Sequence, residues 1–528
     1  MKIKQDGFYT YNEMMQAIDT LKKEYPSFVK VESIGTSLEG RDLPLIILTA
    51  PGTDHEQKPA YYIQTNVHSN EAEGTTVSLY LANQLCSDPQ YQKLLECISF
   101  YIVPRVNPDG AECAIVQKYV PRSRETIHKV KDHIIPGDVN GDGMILHMRI
   151  ECPDGNMKPY EEDPRLMVPR KSTDTEGPFY KVYTEGLIHD RTGGEFFEPS
   201  KTTVDFNRNY PVYWQPDNPV GGKYPFSEPE TKAVGDFLLS KPNIFAGMDI
   251  HNGSNAIFRP GSMPDDQYDA ADLQLMQKVG NICSDITGFP YLVSGYRYAT
   301  DPYIKGYSGT SDEFVHFMLG ISFIIMELGN GYSQMGHKTV DMVLTNDLFN
   351  NRIKYDYELL KFHDQRGTEF FYPWTEFDHP QLGKVEIGGI TMANAYGISF
   401  PNTEVILKAT ECLIQHANMC PRLSFADMKR ERLEGNLYKI SGHLTNNSIL
   451  PANGMIASGG RPMKVPVKIQ CIAPEGGRIV GGLKEKINKA DMKPDEKFYV
   501  EWFVLSEENS IWQLSAEHPR CIAAQIRI

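Results

Sequence analysis

The stretch Gln64-Thr65-Asn66-Val67-His68-Ser69-Asn70-Glu71-Ala72-Glu73-Gly74 decides the fold. A run with strand character, Ala60 to Val67, stops at His68-x-x-Glu71. A run with helical character, Glu71 to Leu85, follows. An imidazole and a carboxylate three positions apart at a strand-to-helix junction can turn toward one point. Zinc takes His nitrogen and Glu oxygen in a roughly tetrahedral site. A solvated helix start with Ser69 or Asn70 as N-cap accounts for the same residues, so the flanking chain has to decide.

Working outward, strands and helices alternate. An amphipathic helix over residues 8 to 25 carries Met14, Met15, Ile18 and Leu21 at helical spacing and stops at Pro26. Strands follow at Val29 to Ile34 and Leu43 to Ala50, then the Ala60 strand. Another strand, Ile98 to Val106, runs into Asn107-Pro108-Asp109-Gly110, a turn signal with Gly110 available for a positive φ. A helix over residues 228 to 240 precedes strand Ile244 to Ile250, which ends at His251. A helix over about 265 to 286 precedes strand Ile321 to Met326, which ends at Glu327. This alternation predicts an α/β domain with a mixed, mostly parallel sheet flanked by helices.

The strand ends carry the chemistry. Open α/β sheets bind ligands beyond the carboxyl ends of their strands. A lone His251 there is more often structural. With His68 and Glu71 it completes a His₂Glu set, which leaves one zinc position for water. Glu327 follows an apolar run and is out of place unless it is paired, functional or at a solvated strand end. There it is suited to act as a general base. Asn207-Arg208 fits either a carboxylate clamp, with a guanidinium fork and an amide donor, or an ordinary polar loop.

Composition sets the outer bounds. The chain of 528 residues has room for two or three domains. Its 41% hydrophobic and 23% charged residues are those of a soluble globular protein. No apolar run is long enough for a bilayer span, so no membrane partner is expected. No h-region follows Met1, and the nine cysteines form no Cys-x-x-Cys pair, which points to reduced thiols and a cytoplasmic setting. A net charge of -15 argues against nucleic acid as a partner.

Residues 125 to 204 are rich in Gly, Pro, Asp and Glu without clear periodicity, and read as a long insertion over one face. Inside it, Asp138, Asn140 and Asp142 match the first half of a calcium loop. Arg149 stands where its bidentate Glu belongs, so an Asp/Gly turn is the stronger reading. A hairpin over residues 373 to 389 and a closing helix over 403 to 419, with Thr403 as N-cap, complete a first domain, 1–422. Beyond it, runs at Tyr438, Val465, Phe498 and Cys521 alternate apolar and polar residues, predicting an antiparallel β-sandwich over 423–528.

Taken in order, His68-x-x-Glu71, Asn107-Pro-Asp-Gly110, Asn207-Arg208, His251 and Glu327 before Leu328-Gly329 resemble the zinc metallocarboxypeptidases of the carboxypeptidase A/B-like family. The opening helix and Gly35-x-Ser37-x-Glu39-Gly40-Arg41 resemble that family's beginning, and the likeness covers roughly residues 7 to 422. The resemblance implies one Zn²⁺ held by His68, Glu71 and His251, with Glu327 as general base. Arg122, fifteen positions after Asn107, would polarise the scissile carbonyl, with Arg124 as the alternative. Asn207 and Arg208 would hold the C-terminal carboxylate of a peptide or amino-acid conjugate, and Tyr307 or Tyr303 would be the family's mobile tyrosine.

Three features depart from the family pattern. Asn70 stands where digestive members carry arginine, the 125–204 insertion has no counterpart, and the segment around Thr310 to Glu313 is offset by about one residue. No Asp stands out there as a selector for basic side chains. A zinc amidase, deacylase or cell-wall peptide hydrolase would use the same set. A non-catalytic binding protein would not need Glu327 and its partners intact. Oligomeric state and the preferred C-terminal residue are not legible.

Overall fold

A computed structural model of the chain describes residues 3–4, 7–262, 264–293, 308–345, 347–391, 402–456 and 464–528. Its centre is an eight-stranded sheet. In chain order the strands are β1 (Val29–Thr36), β2 (Asp42–Leu48), β3 (Ala60–Thr65), β4 (Ser99–Val103), β5 (Ile244–Asn252), β6 (Ala256–Arg259), β7 (Tyr291–Val293) and β8 (Ser322–Leu328). They lie in the order β1-β2-β4-β3-β5-β8-β6-β7. The central strands β4, β3, β5 and β8 run parallel, and antiparallel pairings at β1/β2, β2/β4 and β6/β8 make the sheet mixed.

Both faces are covered, which is why the central strands read as almost unbroken apolar runs. Tyr61, Ile63, Phe100, Ile102, Met248 and Ile250 face helices α1 (Tyr11–Glu24), α2 (Glu73–Ser87), α5 (Ala270–Thr287) and α7 (Thr403–Asn418). Their neighbours Tyr62, Tyr101 and Val103 face α4 (Pro229–Ser240), through Val234, Phe237 and Leu238. The remaining labelled helices are α3 (Pro108–Ile115) and α6 (Arg352–Arg366).

Two local expectations are corrected. Asn107-Pro108-Asp109-Gly110 is not a turn with positive φ at Gly110 but the capped start of α3. Asn107 Oδ1 accepts from Gly110 N at 2.9 Å, and Pro108 takes the first turn, where its missing N–H costs nothing. Glycine is needed because a Cβ there would lie 2.5 Å from Asn107 Nδ2 and 2.8 Å from the Ser123 carbonyl. Helix α7 is capped by Asn402, whose side chain accepts from Glu404 N and Val405 N, one residue before the expected Thr403.

The 125–204 region is not irregular. Its strands His147–Glu151, Tyr180–Thr184, Met157–Pro159 and Met167–Pro169 join the hairpin Phe371–His379/Gly383–Ile390 in a six-stranded sheet. Arg149 holds this sheet together. Its guanidinium lies 4.4 Å from the ring centroids of both Tyr180 and Trp374, and its Nε donates to Glu386 at 2.8 Å. Arg149 therefore has no place in a cation loop. Asp138 instead accepts from the backbone of Gly141 (2.6 Å), Asp142 (3.2 Å) and Gly143 (2.8 Å), so the motif is a self-satisfied Asp/Gly turn and calcium is not supported.

From Leu423 the chain builds two antiparallel four-stranded sheets around a shared core that includes Trp502, Trp512, Ile440 and Ile469. This β-sandwich is tied to the α/β domain by Arg520. It donates to the carbonyls of Leu319 (2.8 Å), Gly320 (3.3 Å) and Pro242 (3.4 Å). Among the described residues, no helix is long and apolar enough to cross a membrane.

Candidate active site

The opening stretch is buried, not solvated, and neither Ser69 nor Asn70 caps α2, whose N-cap Ala72 makes no side-chain bond. After β3, Asn66 turns the chain at φ 56°, a region Asn tolerates better than most residues. Its Nδ2 donates to the His68 carbonyl at 2.7 Å. Helix α2 then passes close over the strand end: a Cβ at Gly74 would lie 2.8 Å from Thr65 Cβ. Ser69 N donates to the Arg122 carbonyl at 3.0 Å, and Asn107 Nδ2 donates to the Ser123 carbonyl at 2.8 Å. The Asn107 motif thus fixes the segment that carries Arg122. Asp109 in turn takes Ser37 Oγ and Arg41 Nη1, both at 2.7 Å, which accounts for Ser37 and Arg41 in the early motif.

His68, Glu71 and His251 converge, with one ligand atom from each lying within 4.8 Å of the others. Glu71 Oε1 is 2.8 Å from His68 Nδ1, and Glu71 Oε2 is 2.8 Å from His251 Nδ1. The Nδ1 atoms are therefore the inward pair. The outward atoms have carboxylates: His68 Nε2 is 3.1 Å from Asp205 Oδ1, and His251 Nε2 is 3.2 Å from Asp249 Oδ2. Burial opposes ionisation of Glu71, but His68 and His251 hold its carboxyl well below the usual range. Burial likewise opposes a charged His251, and Asp249 and Glu71 overcome it, raising its pKa well above the ordinary value.

In the parallel register of β5 and β8, His251 pairs with Glu327, so the two strand ends deliver their side chains side by side. Burial and the neighbouring Glu71 push the Glu327 carboxyl up to about 7. Arg122 reaches Glu71 Oε1 and Asp205 Oδ2, both at 3.3 Å. A short 3₁₀ turn over Phe206–Arg208, capped by Asp205, presents Asn207 and Arg208. His68, Glu71, Arg122, Asn207, Arg208, His251 and Glu327 line one cleft of about 660 Å³.

Arg124, the alternative to Arg122, is not in this cleft's lining. It pairs instead with Glu228 and Glu230, which are not in that lining either. Tyr303 and Tyr307 lie outside the described residues. Asp312 lines the cleft, but its Oδ2 accepts from Gly261 N at 2.8 Å, a structural use. Three residues of the site had not been singled out: Asp205, Asp249 and Ser311. The first two stand two positions before Asn207 and His251, and Asp249 is a charge inside an apolar strand, which is the signal that would have found it.

Residues 14–337 match the family model for zinc carboxypeptidases. The chain belongs to the zinc carboxypeptidase family. Carboxypeptidase B of Astacus astacus is 33% identical over 105 residues, 20% of this chain and 34% of that protein. Carboxypeptidase Z of Mus musculus is 33% identical over 115 residues, 21% of this chain and 18% of that protein. The chain therefore matches about a third or less of the length of these relatives. Among solved structures, bovine thrombin-activatable fibrinolysis inhibitor gives a TM-score of 0.37 at 20% identity, covering 61% of this chain and 86% of that one. Murein-tripeptide amidase MpaA of Escherichia coli O157 gives 0.29 at 15% identity, covering 61% and 94%.

The donor set fits the metal this family is named for. Two imidazole nitrogens and a carboxylate converge in a buried pocket; the other nitrogen of His68 hydrogen-bonds Asp205, the usual arrangement behind zinc-binding histidines, and that of His251 lies 3.2 Å from the Asp249 carboxylate.

Proposed function

We propose that this zinc carboxypeptidase-family protein hydrolyses the C-terminal peptide bond of peptides. The observation that carries the reading is the shared cleft. The converging His68–Glu71–His251 set, the Glu327 carboxyl and the Asn207–Arg208 pair all open onto one space.

His68 and His251, through Nδ1, and Glu71 would hold one Zn²⁺. Bound there, the metal lowers the pKa of a water and polarises a carbonyl oxygen. The chain's own residues do the rest. Arg208 and Asn207 take the substrate's free C-terminal carboxylate, the guanidinium through its planar fork of donors. This sets the bond to be cut one residue from the end. Arg122, held by Glu71 and Asp205 at the cleft wall, donates to the carbonyl oxygen as negative charge develops on it. Glu327 takes the proton of the attacking water and delivers it to the leaving amine nitrogen. Its raised pKa suits both halves of that transfer.

The test is a pooled library of short peptides, free or amidated at the C-terminus, incubated with the unaltered chain and with Glu327→Gln. Mass spectrometry reads the products. Single residues released from free C-termini only, and lost in the variant, are expected. Release confined to acylated amino acids would move the assignment to an amidase or deacylase. Zinc uptake with no turnover on any peptide would make it a binding protein.

A further inference from the structure

Asp249 lies on β5 between β3 and β8, at the middle of the sheet, and is fully buried. Its Oδ2 accepts from Gln64 Nε2 and from Ser311 Oγ, each at 2.6 Å, and lies 3.2 Å from His251 Nε2. Its Oδ1 has no hydrogen-bond partner among the described residues. A buried carboxylate with an unpaired oxygen is costly, and an apolar side chain in a central strand would not be. Among the described residues, His251 is its one ion-pair neighbour within 4 Å. The carboxylate thus joins Gln64 on the neighbouring strand and Ser311 by hydrogen bonds, and faces His251 Nε2 at ion-pair distance, where Nε2 has no hydrogen-bond partner among the described residues.

The second arm leads to the substrate side. Ser311, whose hydroxyl donates to Asp249, uses its backbone N–H to donate to Asn207 Oδ1 at 2.8 Å. With Oδ1 engaged, Nδ2 is the donor that Asn207 has to offer a ligand. Asp205 has a parallel arrangement: it faces His68 Nε2, Arg122 Nε and Asn207 N.

We propose that Asp249 is a positioning residue that braces two parts of the site at once. Its charge 3.2 Å from Nε2 favours the ring orientation in which Nδ1 meets Glu71, and through Ser311 it fixes the Asn207 amide toward the substrate carboxylate. The inference rests on the metal assignment above.

The experiment titrates zinc into the metal-free full chain against a chromophoric chelator, for the unaltered protein, Asp249→Asn and Ser311→Ala. It then measures kcat and KM at saturating zinc on a peptide with a free C-terminus. Asp249→Asn is expected to weaken zinc binding roughly 10- to 100-fold. Ser311→Ala removes only the link to the substrate side, and should raise KM roughly 5-fold while zinc affinity moves less than about 3-fold. Zinc affinity unchanged in Asp249→Asn, with the unaltered chain binding normally, overturns this inference and leaves the metal assignment standing. No zinc uptake by the unaltered chain overturns both. Should Asp249→Asn fail to fold, Ser311→Ala decides: KM unchanged overturns the proposed brace.

Discussion

Replacing Arg124 with methionine should cost stability and not chemistry, whereas replacing Arg122 with glutamine should do the opposite. Arg124 sits between Glu228 and Glu230. Its side chain is 12% exposed and that of Glu230 is fully buried. Glu230 Oε1 also accepts from Leu38 N at 3.0 Å, but Oε2 has no hydrogen-bond partner among the described residues, so the guanidinium is the main compensation for this charge. Removing one member of a buried pair costs about 3–5 kcal/mol. With a per-residue unfolding entropy of about 2.1 cal/mol/K, a domain of this size loses roughly 3–5 °C in Tm. Burial already raises the Glu230 pKa, and Arg124 opposes that shift. Without Arg124 the folded-state pKa climbs further above the unfolded one. A carboxyl raised in this way favours the fold at low pH and loses that contribution as pH rises through the folded pKa. The deficit of Arg124→Met is therefore smaller at pH 5 than at pH 8. Arg122, by contrast, is 47% exposed, and its buried partners Glu71 and Asp205 keep their contacts to His68 and His251, so its loss should leave Tm within roughly 1 °C. Its loss should lower kcat/KM about 10²- to 10³-fold. Calorimetry at the two pH values, paired with peptide hydrolysis, reads all four quantities. Arg124→Met with unchanged Tm and a hundredfold loss of turnover would refute the reasoning and exchange the two roles.

Glu327→Gln should retain zinc, measured by metal analysis, and lose about 10²- to 10⁴-fold in kcat as its proton transfer disappears. Arg208→Ala should raise KM for free C-termini and erase the difference between free and amidated peptides in a paired kinetic assay. Zinc removal by chelation should abolish turnover, and added Zn²⁺ should restore it, which a colorimetric peptide assay follows directly. Arg520→Ala removes the buried donors that tie the β-sandwich to the Leu319 and Gly320 carbonyls, a loss of roughly 3 kcal/mol. Calorimetry should then resolve the two domains as separate transitions.

What the sequence disclosed, and what it hid, follows from the range of each interaction. The β3–α2 junction was legible because burial on both faces forces an apolar run, and the helix changes the period just beyond His68. The β-sandwich was legible from alternation over Leu437–Asn446 and Lys497–Leu505, strands long enough to display it. The sheet within residues 125 to 204 was not. Its strands are three to five residues long, too short for a period, and the Arg149–Glu386 pair that anchors it spans 237 positions. The Asn107 motif misled for another reason. Asn, Pro, Asp and Gly serve turns and helix starts alike, and it is the hydrogen bonds of Gly110 N and Ala111 N back to Asn107 that make this one a helix start.

The site divides along the same line. His251 and Glu327 stood out because a polar group at the end of an apolar strand is conspicuous without knowing what it faces. Asp249 differs from His251 by two positions on the same strand and points to the same place, yet it was passed over. Inside a strand, a charge has no local partner to declare it: Gln64, 185 positions away, and Ser311, 62 away, supply its hydrogen bonds. His251 and Glu327 lie where strands end, so their position gives them away. Residues that hold those side chains in place lie one layer deeper, where only the fold brings their partners together. A buried carboxylate two positions before a strand-end histidine is therefore the sequence feature by which that deeper layer can be sought, and measured zinc affinity in Asp249→Asn decides whether the feature carries function.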